Sequence, residues 1–432
     1  MSFQAKRARL LCGGTRVPNG AWDLVIRGCR TSDSGPLVNV GIAGGKIGEV
    51  SDRPMEGKTK VEAEGRLLVP GFVNAHTHLD KADLIKYMTS QHFGGTLVQN
   101  RALLKELKAN YKVEEIKERA RKVALEMAAQ GATAIRTQVD VDPTAGLTPM
   151  RAVLELKKEL AAKVTIQVSS FPQEGVLGDK KLGLLEESLR MGADVLGGNP
   201  VVEEGYENQR KNIDALFKLA QKYSKPLDVQ VDESNNPANF LLPYVAHRTI
   251  AEGYQGKVTA THCISLSAVD DDAARLAIAK VAEAQMSVII TPSCNLITQF
   301  ILPKGMKSRP NNSITRVTEL IAAGINVAIG TDNIRDIFYP LGNGSMLREL
   351  HTLATTTRMS GLQDVERLLQ MSTVNGAKLL GLEYGVSPRK QADLMVLNGQ
   401  SFREALCSVP LVPYVIKGGN VMATTAWATN QS

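Results

Sequence analysis

Short β-branched runs alternate with amphipathic stretches of helical period through most of this chain. The runs are LLVPGFVNAH (67–76), TAIRTQVDV (133–141), VTIQVSSF (164–171), ADVLGGN (193–199), LDVQVDE (227–233), KVTATHC (257–263), MSVIITPS (286–293) and INVAIGTDN (325–333). Between them lie segments such as VEEIKERARKVALEMAAQG and ITRVTELIAAG, each closing on a glycine as a helix C-cap favours. Near-continuous apolar strands that alternate with helices predict a parallel sheet covered on both faces, and eight such units predict a (β/α)8 TIM barrel over 67–384. That span exceeds the ~250 residues of a typical barrel and leaves room for extra helices and lids.

The two ends read differently. Residues 1–66 contain DLVIRGCR, LVNVGIAGGKIGEV and KVEAEGRLLVPG, and residues 385–432 contain ADLMVLNG and YVIKGGNVM. All are short strands punctuated by glycine, so the termini are expected to pair into one small β-sandwich domain beside the barrel. No solenoid repeat or low-complexity linker interrupts the pattern.

Composition adds limits. With 432 residues, 43% of them hydrophobic, the chain can bury a large core, which excludes a disordered or fibrous protein. The 51 basic and 44 acidic residues give a net charge of +7, but both signs are interspersed, as in KVEEIKERARK, so a solvated surface is expected and not a nucleic-acid interface. Five widely spaced cysteines (Cys12, Cys29, Cys263, Cys294, Cys407) with no CxxC predict neither a disulfide framework nor a thiolate zinc site, and fit a reducing, cytoplasmic setting. No apolar run approaches the ~18–20 residues that cross a bilayer, and the basic N-terminus lacks a signal-peptide core.

Chemistry in a barrel belongs at the C-terminal ends of its strands, and the polar residues collect there. The first strand ends in His76 and His78, the second in Gln138 and Asp140, the third runs into Gln173, the fifth ends in Gln230 and Glu233, the sixth in His262, the seventh leads to Asn295 and the eighth ends in Asp332 and Asn333. Alternation puts His76 and His78 on one face of their strand, so both imidazoles can reach one ion in the barrel mouth. Together with His262 and Asp332 they offer nitrogen and oxygen donors suited to zinc or ferrous iron. Such an ion lowers the pKa of bound water toward ~7 and yields hydroxide. Glu233 is the best-placed carboxylate to carry a proton to a leaving amine, so the parts suit C–N hydrolysis. His247 and His351 sit in helical patterns and read as packed or solvated. His92 follows the first strand as a candidate substrate contact, and Lys81 could be drawn into the chemistry, although an exposed lysine is the default there. Cys263 and Cys294 border the site as small core residues.

PGFVNAHTHLDK, RTQVDVDP, SFPQEGVL, the ADVLGG run, LDVQVDE, VTATHC and GTDNIRDIFYPLGNGSM, in this order, resemble the amidohydrolase superfamily. The likeness is greater to its cytosine deaminase branch, which includes the N-isopropylammelide hydrolase of triazine breakdown, and it runs over nearly the whole chain. The resemblance implies a barrel with a terminal β-sandwich, one divalent metal (zinc or iron), and hydrolytic deamination of a nitrogen heterocycle, with no nucleic acid or membrane as partner. Carried over by position, it implies His76, His78 and Asp332 as metal ligands, Glu233 as proton shuttle, His262 as the group orienting the tetrahedral centre, Asp332 also as helper in activating water, and Gln173 against the ring edge. No lysine ends the fourth strand, so a single metal is implied. Members of the family commonly assemble, so a homo-oligomer is open, although no segment identifies an interface.

The pattern departs at three positions. Gln230 stands where the family's D-x-H-x-x-E has its third histidine ligand, and Gln138 stands where close relatives read RTH. An amide oxygen is a poorer donor than imidazole to zinc or iron. Asn333 replaces the second aspartate of cytosine deaminases and is the other expected substrate contact. Two readings stay open: a retuned aminohydrolase acting on a cytosine-like pyrimidine or a triazine, or an impaired relative kept for binding or assembly. The survival of Glu233, His262 and Asp332 favours the enzyme, since a buried carboxylate cluster without a counter-ion is costly.

Overall fold

The computed structural model describes residues 21–88, 97–298 and 313–424. His92 and Cys12 lie outside them. Sixteen strands form three sheets among these residues. The first sheet holds β1 (Trp22–Cys29), β2 (Val38–Ala43), β3 (Lys46–Ser51) and β4 (Gly57–Glu62), in the order β3-β2-β1-β4. After β5 (Leu68–Pro70) come the eight strands of the central sheet: β6 (Phe72–Thr77), β7 (Ala132–Asp140), β8 (Thr165–Phe171), β9 (Val195–Gly198), β10 (Leu227–Val231), β11 (Val258–His262), β12 (Ser287–Ile290) and β13 (Asn326–Ile329). They follow one another in chain order, each parallel to the next, with at least one helix between successive strands. The last sheet is β14 (Leu394–Val396), β15 (Tyr414–Lys417), β16 (Asn420–Thr424) and β5, in the order β16-β15-β14-β5.

Closure of the barrel lies at the site. Thr77 bridges Asp332 in parallel, the Asp332 amide donates to the His76 carbonyl at 2.8 Å, and Thr77 Oγ1 donates to the Asp332 carbonyl at 2.7 Å. Gly330 allows this approach, because a Cβ there would stand 2.6 Å from the His76 carbonyl oxygen.

The expected first strand, 67–76, is two strands. Leu68–Pro70 pairs antiparallel with β14, and only from Phe72 does the chain enter the barrel. Pro70 and Gly71 make the break: proline offers no amide to a continued ladder, and the chain passes so close to Thr133 that a Cβ on residue 71 would lie 2.2 Å from its Oγ1. Leu24, Ile26, Val40, Ile42, Ile47 and Val61 of the first sheet share a core with Leu68, Leu394, Val396 and Ile416 of the last, so the two terminal sheets pack as a sandwich.

Alternation along each barrel strand sorts its side chains. Leu227, Val229 and Val231 of β10 join the apolar layer beneath the helices, with Ile135 and Val139 of β7 and Val168 of β8. On β7, β8, β10 and β11 several of the intervening, inward positions are polar. Arg136 donates to Asp228 Oδ2 at 3.1 Å, to Gln167 Oε1 at 2.7 Å and to the Leu379 carbonyl at 3.0 Å, while Thr261 donates to Asp228 Oδ1 at 2.8 Å. The lumen below the site therefore holds a hydrogen-bonded ion pair and its partners beside a small apolar cluster of Ala75, Ile289 and Ala328, where most such barrels use branched aliphatic residues throughout. No helix among the described residues is long and apolar enough to cross a membrane.

Candidate active site

Asp228 fixes the next layer up. Its Oδ2 accepts from Gln138 Nε2 at 3.1 Å, and the same amide nitrogen lies 3.4 Å from His76 Nδ1. On the other side of that ring, Gln230 Nε2 stands 3.2 Å from His76 Nε2. A neutral imidazole can accept at only one nitrogen, so the two amides compete to set its tautomer. Gln138 is the one held by an ion pair.

Above this layer, His78 Nε2 and His76 Nε2 lie 3.2 and 3.5 Å from Asp332 Oδ1, and His262 Nδ1 lies 4.0 Å from Asp332 Oδ2. All four side chains are buried. One ligand atom from each of His76, His78 and Asp332 falls within 4.8 Å of the others. Burial, and then the Lys81 ammonium, push the His78 imidazole down to about 4, so it is neutral at pH 7 as a ligand must be. Burial opposes charge on Asp332, but the contacts from His76 and His78 outweigh it and hold the carboxyl well below the usual carboxylate range. His78 Nδ1 and Asp332 Oδ1 are both buried without a hydrogen-bond partner. A divalent cation fits these donors: two imidazoles and a carboxylate with an unused oxygen. The surroundings fit it less well. A metal-bound histidine normally donates its second ring N–H to an acceptor, whereas His76 Nδ1 faces an amide nitrogen.

Backbone shape helps to present the remaining groups. Asp232, His262 and Asp332, at the ends of β10, β11 and β13, have φ of 58°, 75° and 58°. Left-handed geometry at a non-glycine residue costs of order 1–3 kcal/mol and collects at functional sites. Asp232 is tied down by accepting from the Leu241 and Leu242 amides at 2.7 and 2.9 Å, which anchors the turn that carries Glu233. His262 Nδ1 lies 3.0 Å from both Thr291 Oγ1 and Asn295 Oδ1, and Thr291 donates to that same Asn295 oxygen at 2.7 Å. In the neutral ring, the acceptor Asn295 Oδ1 puts the proton on Nδ1 and leaves Nε2 to accept.

The sequence-predicted residues converge. One cavity is lined by His78, Gln173, Gln230, Glu233, His262, Asp332 and Asn333, with His76 directly beneath. Asn333 is held on both sides: its Nδ2 donates to Asp336 at 2.5 Å and its Oδ1 accepts from Cys294 at 3.4 Å. His247 and His351 are exposed on helices, away from the cavity lining, as their patterns imply.

Lys81 departs from its default reading as an exposed lysine. It is 1% exposed, donates to Asp140 at 2.7 Å and to Gln173 Oε1 at 2.9 Å, and lines the cavity. Arg101, Asn199 and Phe338 also line it and were not expected there. Arg101 lies within the amphipathic helix 97–108, where periodicity alone marks no residue as a ligand contact.

Comparison with known proteins adds four findings. The Amidohydrolase family model matches residues 67–424. The chain is 32% identical over 413 residues to the N-isopropylammelide isopropyl amidohydrolase of Pseudomonas sp. (strain ADP), covering 93% of this chain and 97% of that protein. Among solved structures, 5-methylcytosine deaminase from Klebsiella pneumoniae liganded with 5-fluorocytosine superposes with a TM-score of 0.88 at 28% identity, covering 94% and 99% of the two chains. N-isopropylammelide isopropylaminohydrolase from Burkholderia multivorans does so with 0.80 at 29% identity, covering 93% and 98%.

Proposed function

Because this chain belongs to the amidohydrolase family, we propose that it is a metal-dependent aminohydrolase that replaces an exocyclic amine of a cyclic amidine by oxygen. Its substrate class is a cytosine-like pyrimidine or a related triazine, and its setting the cytoplasm. The observation that carries this reading is the meeting of His76, His78 and Asp332 within 4.8 Å of one another beside Glu233 and His262 in one cavity. His76, His78, Asp332 and a Gln230 amide turned to present Oε1 would hold one divalent ion, zinc or iron, which when bound supplies water acidic enough to ionise near neutral pH.

The chain's own groups then divide the work. Glu233 takes the proton of the attacking water and returns it to the departing nitrogen, so that amine leaves as the ring carbon gains oxygen. His262, with Nδ1 committed to Thr291 and Asn295, aims Nε2 at the reacting carbon's new oxygen and orients it. Gln173 has its Oε1 occupied by Lys81 and therefore offers its Nε2 to an acceptor on the ring. Asn333, anchored on Asp336, supplies a second polar contact.

Protein loaded with zinc or ferrous iron is expected to carry about one equivalent and to release ammonia or an alkylamine from at least one compound in a panel of aminopyrimidines and aminotriazines. A chelator should abolish release and zinc should restore it. Loaded protein silent on the whole panel would overturn the reading. The second reading, a relative that binds without turnover, draws its support from the amides that flank His76. Gln230→His bears on both. Even partners outside the ligand sphere shift metal affinity about 10–100-fold, so gaining an imidazole ligand should tighten zinc by at least about tenfold in competition with a chromophoric chelator. Unchanged affinity would place residue 230 outside the ligand set.

A further inference from the structure

The cavity is richer in donors than a neutral aminopyrimidine requires. Lys81 and Arg101 both line it, and neither side chain has an acceptor atom. Lys81 places two of its three protons on Asp140 and Gln173. Because Gln173 Oε1 is taken by that contact, the glutamine too turns a donor to the ligand. Arg101 Nε is buried and has no hydrogen-bond partner, and a buried guanidinium donor without an acceptor is costly to keep.

Charge points the same way. Lys81 is balanced by Asp140 at 2.7 Å. Burial works against the charge on Arg101, and the carboxylate that supports it is Glu233. Glu233 is the group assigned above to take up a proton, and once it does so the support is withdrawn. An anionic ligand edge would satisfy Arg101 at that stage of the reaction, where a neutral edge would not.

We propose that Arg101, together with Lys81, selects heterocycles carrying an anionic oxo edge, such as a ring oxygen whose charge is shared with an adjacent ring nitrogen, in addition to the amine that is cleaved. Guanidinium suits such an edge because its N–H groups form a planar fork that pairs with two neighbouring acceptors. This deepens the proposed function and rests on the cavity being the substrate site. It makes acidic oxo-triazines and oxo-pyrimidines better substrates than cytosine.

Barbiturate and uracil separate this inference from the reaction itself, since neither has an amine to lose; barbiturate is an anion at neutral pH and uracil is neutral. Calorimetric titration of zinc-loaded protein should show barbiturate binding at least about tenfold tighter than uracil. Arg101→Gln should remove that preference, weakening barbiturate far more than uracil, and Arg101→Lys should retain part of it. Equal affinity for the two ligands, failure of both to bind, or a preference that survives Arg101→Gln would overturn the proposal. A preference seen in a protein that releases no amine would instead leave the inference standing and remove the aminohydrolase reading.

Discussion

Replacing Glu233 with glutamine is expected to leave the protein folded and metal-loaded and to lower kcat by about 10²–10⁴-fold, the usual contribution of a positioned general acid–base. The substitution keeps the side chain's shape and its hydrogen-bonding oxygen but removes the ability to accept a proton at neutral pH. It also removes the carboxylate that acts on Arg101, so ligand affinity will shift for reasons unrelated to proton transfer. The informative quantity is therefore the split between kcat and KM. A fall in kcat that far exceeds any change in KM, with an acidic limb missing from the kcat against pH profile, is what a proton shuttle gives. A change in KM with kcat unaltered would make Glu233 a binding residue and return the proton path to the remaining groups of the cavity.

The barrel was readable from sequence because strands covered on both faces have a simple pattern. Near-continuous runs such as INVAIGTDN and KVTATHC mark both the strand and the rim residue that ends it. The candidate site was legible for the same reason, since His76, His78, Gln230, His262 and Asp332 all lie at or just past strand ends. What stayed illegible depends on partners distant in the chain. Lys81 reads as an exposed lysine until Asp140, 59 positions on, is placed against it. Arg101 belongs to a helix whose moment shows only which face is apolar, and its exposure to the cavity depends on how that helix packs against the rim. The tautomer of His262 is set by Thr291 and Asn295, and the environment of His76 by an amide that Asp228 holds from another strand. Gln138 and Gln230 were recognisable as departures from the histidines of the family. That both would address opposite nitrogens of one imidazole was a matter of geometry alone.

The second large effect concerns what lies beneath the site. Asp228→Ala is expected to destabilise the protein by about 3–5 kcal/mol, measured as a shift in the urea midpoint of metal-free protein, because it strands a charge in the barrel lumen. Arg136 is 2% exposed, and Asp228 is the carboxylate that pairs with it; Thr261 and Gln138 lose an acceptor at the same time. Desolvation decides the sign: the pair adds little net stability over a well-packed apolar pair, but half of it left alone is far worse than either. Arg136→Met combined with Asp228→Leu should therefore recover most of the loss. The same substitution reaches the proposed metal centre by a separate route. With Asp228 gone, Gln138 is free to turn its oxygen toward His76 Nδ1, the acceptor a metal-bound histidine normally has. Zinc affinity should then rise even as the fold weakens, a pair of opposed changes that a general loss of structure could not produce. A midpoint shift worth under about 1 kcal/mol, within the range of ordinary substitutions, would mean that the lumen admits water to Arg136, and the buried ion pair would cease to be the support on which the site is built.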